Sequence, residues 1–162
     1  MKMSILKSVI WLIGLLPPRV LRVLSKPLGW LGWTASKTKK NSTIRNLAAC
    51  YPQLSEEERL SLGRRSMRHY MLNILEIGLT WNWSLKRILR LFDAPQGLEH
   101  LQEAISHGNG VMVLMPHSGG WVSAAQWLQN ELDLMAMFNP SAHHSFDDEL
   151  TRRRSRFGTR MA

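Results

Sequence analysis

Residues 116–120 read Pro-His-Ser-Gly-Gly and follow directly on the apolar run Gly110-Val-Met-Val-Leu-Met115. Histidine titrates near neutral pH, so His117 can serve as a general base. Gly119 and Gly120 lack a Cβ, which lets a substrate come close and leaves backbone N–H groups free to face an oxyanion. Ser118 completes this oxyanion or substrate loop. A lone histidine in a polar loop equally suits plain surface. What sets His117 apart is its place at the carboxyl end of an expected strand, just before a helix, where open α/β sheets hold their ligands. The other five histidines (His69, His100, His107, His143 and His144) show no metal-ligand spacing, and His143-His144 reads as solvent-facing. The single cysteine, Cys50, excludes a disulfide framework and a Cys-based metal site. There is no Walker loop, no Gly-x-Gly-x-x-Gly and no Gly-x-Ser-x-Gly. No cofactor or metal is expected.

The elements that must position this loop follow from periodicity and punctuation. The run 110–115 has strand length, is continuously apolar and is bounded by Gly and Pro, as a buried parallel strand would be. Residues 121–130 read as a helix, and residues 132–138 as a second strand. Ser145-Phe-Asp-Asp148 is expected to cap a last helix carrying Arg152, Arg153, Arg154 and Arg156. Upstream, residues 37–41 read as a polar link and residues 41–50 as a short helix closed by Pro52. Ser55 with Glu58 forms a capping box, and three acids suit a helix amino terminus. The long helix that follows runs to about Leu79, with Leu60, Met67, Met71, Ile74, Leu75 and Ile77 on one face and Arg64, Arg65 and Arg68 on the other. Residues 85–92 and 98–106 read as further helices. Strand, helix, strand, helix behind a helical amino-terminal layer is an α/β pattern. A length of 162 residues, with 44% hydrophobic and 20% charged residues, fits one folded domain or part of one.

The net charge of +9 is confined to the first third. Residues 1–55 hold nine Lys/Arg and no carboxylate, and include Trp11, Trp30 and Trp33. Nucleic acid and anionic membrane both attract such a segment. The Trp and Leu content favours membrane, and no nucleic-acid recognition motif accompanies the charge. The apolar run from Val9 to Leu16 ends at Pro17-Pro18 and is too short to span a bilayer, which takes about 20 residues. A basic start with a short apolar core also suits a signal peptide, but no small-x-small cleavage site follows. After the prolines, apolar clusters alternate with Arg19, Arg22 and Lys26 and end in Trp30 and Trp33. The expectation is an interfacial anchor over residues 1–36, built as helix, proline break and second amphipathic helix. An ordinary core hairpin with exposed cations is the competing reading.

An ordered series of short stretches resembles the late acyltransferases of lipid A biosynthesis, a branch of the lysophospholipid acyltransferase-like enzymes. The series comprises the amino-terminal anchor, the stretch Asn46-Leu-Ala-Ala-Cys-Tyr-Pro-Gln-Leu-Ser-Glu-Glu-Glu-Arg59, and Glu76 in the long helix. It continues with Gly97-Leu-Glu-His-Leu101, Gly108-Asn-Gly-Val111, Met115-Pro-His-Ser-Gly-Gly-Trp121 and Arg154-Ser-Arg-Phe-Gly158. The resemblance implies an α/β fold: a helical membrane-associated layer, then the start of a glycerol-phosphate acyltransferase-like sheet. Residues 37–162 would form a partial acyltransferase domain. It implies an enzyme that moves a fatty acyl chain from acyl carrier protein to a hydroxyl of a lipid A precursor or related glycolipid. The place implied is the cytoplasmic face of the bacterial inner membrane, on an anionic surface. His117 would be the base, and Arg154 and Arg156 candidates for binding substrate.

Two departures from the family stand out. The family carries a carboxylate five positions after the histidine, where it orients the imidazole, and this chain has Val122 there. Gln126 is a neutral candidate for that task, whereas Glu131 lies too far along the helix. Gly120 also replaces an Asn of the family's block. In addition, the chain stops at Ala162, soon after the Arg-x-Arg-x-Gly stretch, while family members continue, so a carboxyl-terminal truncation is expected. Val122 and truncation would impair transfer. The alternative is a non-catalytic membrane-surface protein that keeps the lipid-binding function.

Overall fold

The computed structural model describes residues 2–137 and 144–161, which form two compact units, Met1–Asn82 and Trp83–Ala162. The first unit is four helices: α1 (Lys2–Gly14), α2 (Pro18–Ala35), α3 (Lys37–Cys50) and α4 (Glu56–Asn82). The other three all pack on α4. The expected capping box opens α4. Ser55 N–H donates to Glu58 Oε2 at 2.7 Å, and Glu58 N–H donates to Ser55 Oγ at 3.3 Å. Glu56, Glu57 and Glu58 occupy the first turn, where carboxylates complement the helix dipole. Accepting the Ser55 N–H holds the Glu58 carboxyl below its ordinary range.

Helix α2 begins at Pro18, as the proline break predicts, and meets α4 through an every-fourth-residue seam of Leu21, Ser25, Gly29 and Trp33. The crossing is close enough to need glycine, since a Cβ on Gly29 would lie 2.6 Å from Arg68 Cα. Helix α1 crosses α4 in the same way, and a Cβ on Gly78 would lie 2.9 Å from the backbone N of Gly14. Asn82 Nδ2 donates across this contact to Ile10 O at 3.2 Å, and within α4 to Gly78 O at 2.7 Å. The buried stripe of α4 therefore runs through Gly63, Met67, Leu75, Gly78 and Leu79. Ile74, expected on that stripe, is exposed, whereas the adjacent Leu75 is buried. The polar link expected over residues 37–41 is instead the first turn of α3. Ser36 Oγ accepts from Lys39 N–H at 3.4 Å, and no Gly or Pro interrupts the lysines.

Burying so narrow a seam leaves a broad apolar face outside. Val20, Val23, Leu24, Leu28, Trp30 and Leu31 of α2 are exposed, as are Ile5, Leu6, Val9, Trp11 and Leu12 of α1. Arg19, Arg22 and Lys26, also exposed, run along one edge of the outward face of α2. Among the described residues no helix is long and apolar enough to cross a membrane.

The second unit contains α5 (Leu85–Leu89), α6 (Leu98–Ser106), α7 (Trp121–Glu131), β1 (Met135–Ala136), α8 (His144–Arg154), a 3-10 turn (Ser155–Phe157) and β2 (Arg160–Met161). Helices α6 and α7 fall where periodicity places them, and α5 stops three residues short of its expected end. Trp83, Ile88 and Leu128 are buried. Strands β1 and β2 pair in parallel with Met135 opposite Arg160, and Arg160 Nη2 holds Asp133 Oδ2 at 2.8 Å.

This pair is the whole sheet among the described residues, and the predominantly helical chain falls short of the α/β sheet expected from sequence. The buried strand predicted over residues 110–115 is not formed. Those residues adopt no regular secondary structure and pair with no strand among the described residues, with Gly110 at φ +75° and Met112 and Leu114 each 86% exposed. An apolar run of strand length is buried only where neighbouring strands exist to cover it, and the described residues supply none there. Of the second expected strand, β1 alone is formed. Phe138 and His143 lie outside the described residues, as do the side chains of His144 and Ser145, and with them the solvent-facing reading of His143-His144 and the expected Ser145 cap.

Candidate active site

The His117 loop joins the irregular segment 110–116 to α7. Ser118 N–H donates to Pro116 O at 2.8 Å and turns the chain. Gly119 completes the reversal at φ +57°, a left-handed conformation that side chains other than glycine rarely adopt. Gly120 then caps α7, and its carbonyl accepts the first helical bond from Ala124 N–H at 3.0 Å. The backbone N–H groups of the first turn of α7 thus stand beside the histidine loop, at the positive end of the helix dipole.

His117 is exposed and makes no hydrogen bond to any described residue. Its contact is a ring. The imidazole centroid lies 4.4 Å from that of Trp121, with the planes tilted by 50°. The Arg154 guanidinium, from the last turn of α8, lies over the same indole at 5.6 Å. Glu149 explains why Arg154 is available. It binds Arg152 Nη2 at 2.6 Å and Arg153 Nε at 2.8 Å, whereas Arg154 takes part in no ion pair among the described residues. Burial pushes its guanidinium below the ordinary arginine range. Arg156 is held differently: its Nη2 donates to Trp83 O at 2.9 Å. Burial, and after it the positive charges of Arg153 and Arg152, lower its pKa as well.

Of the residues singled out from sequence, the structure therefore brings His117 and Arg154 to one indole and leaves Arg156 on a backbone carbonyl. Val122 is half-buried and offers the imidazole no polar atom. Gln126 does not take over that task, because it is 3% exposed, lies more than one helical turn further along α7, and has no hydrogen bond to His117. Glu131 accepts from Asn130 Nδ2 at 2.9 Å at the far end of α7, as remote as expected. Trp121 was missed as a partner of the histidine. The i, i+4 spacing of His117 and Trp121 around a helix start was the available signal. Among the described residues no group of three or more His, Cys, Asp or Glu side chains could hold a metal ion.

The family model for the bacterial lipid A biosynthesis acyltransferases matches residues 2–162. The chain belongs to that family. It is 29% identical over 154 residues to the lipid A biosynthesis palmitoleoyltransferase of Escherichia coli (strain K12), covering 95% of this chain and 50% of that protein. It is 29% identical over 110 residues to the lipid A biosynthesis lauroyltransferase of the same organism, covering 68% of this chain and 36% of the relative. A lipid A biosynthesis acyltransferase of Haemophilus influenzae (strain ATCC 51907 / DSM 11121 / KW20 / Rd) is 27% identical over 157 residues, covering 93% and 47%. The chain spans about half the length of the curated relatives it matches.

Proposed function

We propose that this chain is the His117-bearing part of an acyltransferase of lipid A biosynthesis. It would move a fatty acyl chain from acyl carrier protein to a hydroxyl of a lipid A precursor, at the cytoplasmic face of the inner membrane. The observation that carries this reading is the family match along residues 2–162, within which the histidine loop opens α7. In the reaction, His117 takes the proton of the acceptor hydroxyl as its oxygen attacks the thioester carbonyl. The carbonyl oxygen becomes an oxyanion, which the N–H groups around Gly119, Gly120 and the first turn of α7 can stabilise. Collapse expels the carrier thiolate, which recovers the proton from the imidazolium. Arg154 and Arg156 supply positive charge for anionic groups of the substrate. Residues 1–36 hold the site to the bilayer, where the outward apolar face of α1 and α2 enters the interface and the edge cations meet anionic headgroups.

The test is transfer of a labelled acyl group from acyl carrier protein to a lipid A precursor in anionic bilayers, with His117→Gln alongside. Transfer that disappears in His117→Gln is the expected result. Transfer equal in both would overturn the assignment of His117. A second reading, a membrane-surface lipid-binding protein without transferase activity, draws on Val122, since losing the carboxylate of an analogous hydrolase triad costs about 10⁴ in rate. Vesicle and lipid binding without transfer by wild type, and still without transfer after Val122→Glu, would favour it.

A further inference from the structure

We propose that Trp121 is a positioning residue for His117, an aromatic brace where relatives of this chain are expected to use a carboxylate. Three observations lead there. The imidazole is exposed and has no hydrogen-bond partner among the described residues, so no polar group among them fixes its rotation. A ring contact does restrict it, the tilted indole with its centroid 4.4 Å away, an arrangement aromatic rings favour. The indole is itself held, since it is half-buried in the first turn of α7 and lies beneath the Arg154 guanidinium at 5.6 Å. Val122, the next residue, can neither accept a proton nor orient the ring. The brace thus runs from α8 through Arg154 to Trp121, and from Trp121 to the histidine.

An aromatic face differs from a carboxylate in what it can do. It limits where the imidazole points and leaves both ring nitrogens free, so it selects no tautomer. The consequence for catalysis rests on the acyl-transfer reading above, but the contact itself does not. The experiment therefore has a readout that needs no turnover. In the full chain, held in bilayer nanodiscs, the His117 ring-proton resonances are assigned by their loss in His117→Gln and followed in Trp121→Ala, Trp121→Phe and Arg154→Gln. The indole should shift them upfield in the wild type. Trp121→Ala should release them toward free-histidine values, Trp121→Phe should keep part of the displacement, and Arg154→Gln should release them partly.

If transfer is measurable, Trp121→Ala should lower kcat about tenfold or more with little change in KM, as for a misplaced catalytic group, and Trp121→Phe should recover part of it. His117 resonances unchanged in Trp121→Ala would overturn the proposal, as would an Arg154→Gln effect of opposite sign. If Trp121→Ala does not fold, the Phe and Gln variants carry the test alone. Intact ring shifts with transfer indifferent to His117 would sink the reaction and leave the contact. His117-dependent transfer without ring shifts would sink the contact and leave the reaction.

Discussion

Residues 1–82 carry thirteen Lys/Arg and four Asp/Glu, while residues 83–162 carry eight of each. Within the first unit, three of the four carboxylates sit in one helical turn, so its acids are concentrated at the start of α4 while its cations are spread along the chain. In the second unit the acids are used locally: Glu149 binds Arg152 and Arg153, and Asp133 binds Arg160. Apolar surface divides the same way. The first unit buries a narrow glycine-lined seam and leaves many Trp, Leu, Ile and Val side chains of α1 and α2 exposed. The exposed apolar residues of the second, such as Ile105, Met112, Leu114 and Met137, are spread over several separate segments. One unit is built to present a surface and the other to hold a histidine loop, so charge or hydrophobicity averaged over the whole chain describes neither.

The seam is where the comparison breaks most violently. Gly29→Leu must force α2 away from Arg68, since even a Cβ would lie 2.6 Å from its Cα. Overpacking against backbone should cost about 3 kcal/mol or more, with loss of cooperative unfolding of the first unit. The exposed Met112→Leu should change stability by less than about 0.5 kcal/mol. Thermal unfolding monitored by tryptophan fluorescence compares the two. A Gly29→Leu protein as stable as wild type would mean that α2 does not cross α4 this closely.

The outward faces give the next contrast. Replacing Trp30 and Leu31 together by Asp should weaken sedimentation with anionic vesicles about tenfold or more, because it removes buried apolar area and adds repulsion. The matching pair Met112→Asp and Leu114→Asp should leave binding within about twofold, as no run of cations flanks that segment. Arg19, Arg22 and Lys26 changed to Gln should weaken binding to anionic vesicles, and less so in high salt. If the 112/114 pair matters more than the 30/31 pair, the division of labour between the units is wrong.

A smaller effect tests a feature legible in the amino-acid sequence itself. Ser55→Ala removes one half of the capping box and should lower stability by about 1 kcal/mol, read as a shift in the denaturant midpoint. The box was legible because its hydrogen bonds join residues three apart in sequence. The proline break before α2, the limits of α6 and α7, and the histidine loop were readable for the same reason: local chemistry fixes them. The segment 110–115 was misread because burial of a strand depends on partners elsewhere in the chain, and no local pattern records whether they are present. The every-fourth-residue seam of α2 was hidden because a glycine leaves no hydrophobic signal, although at a close crossing it is the residue that decides. The place of His117, in a glycine-rich loop just before α7, could be read from loop chemistry and helix punctuation. Its contact with Trp121 needed the geometry of the turn at Gly119 to bring the rings together.

Glu76 should produce the smallest effect, and its sign separates two forces within one unit. It is the one carboxylate of residues 1–82 outside the first turn of α4. Burial pushes its carboxyl above the ordinary 4.5, and the positive charge of Arg22 opposes that rise. The folded state therefore binds more protons than the unfolded chain between the two pKa values. Stability should fall as pH rises from about the unfolded value to the raised folded one, and stay reduced above it. Glu58 should act in the opposite sense: its folded pKa is depressed, so its contribution is present above the unfolded value and lost as pH falls through the folded one. In Glu76→Gln the falling limb should vanish. The variant should match or exceed wild type at pH 7 by less than about 1 kcal/mol, because it no longer holds a partly desolvated charge. Denaturant titrations from pH 4 to 7 on wild type, Glu76→Gln and Arg22→Gln would decide the matter. Arg22→Gln should steepen the limb by removing the attraction that opposes burial. A Glu76→Gln protein less stable than wild type at pH 7 would show that Arg22 outweighs burial. The carboxylate would then tie α2 to α4 instead of straining the packing between them.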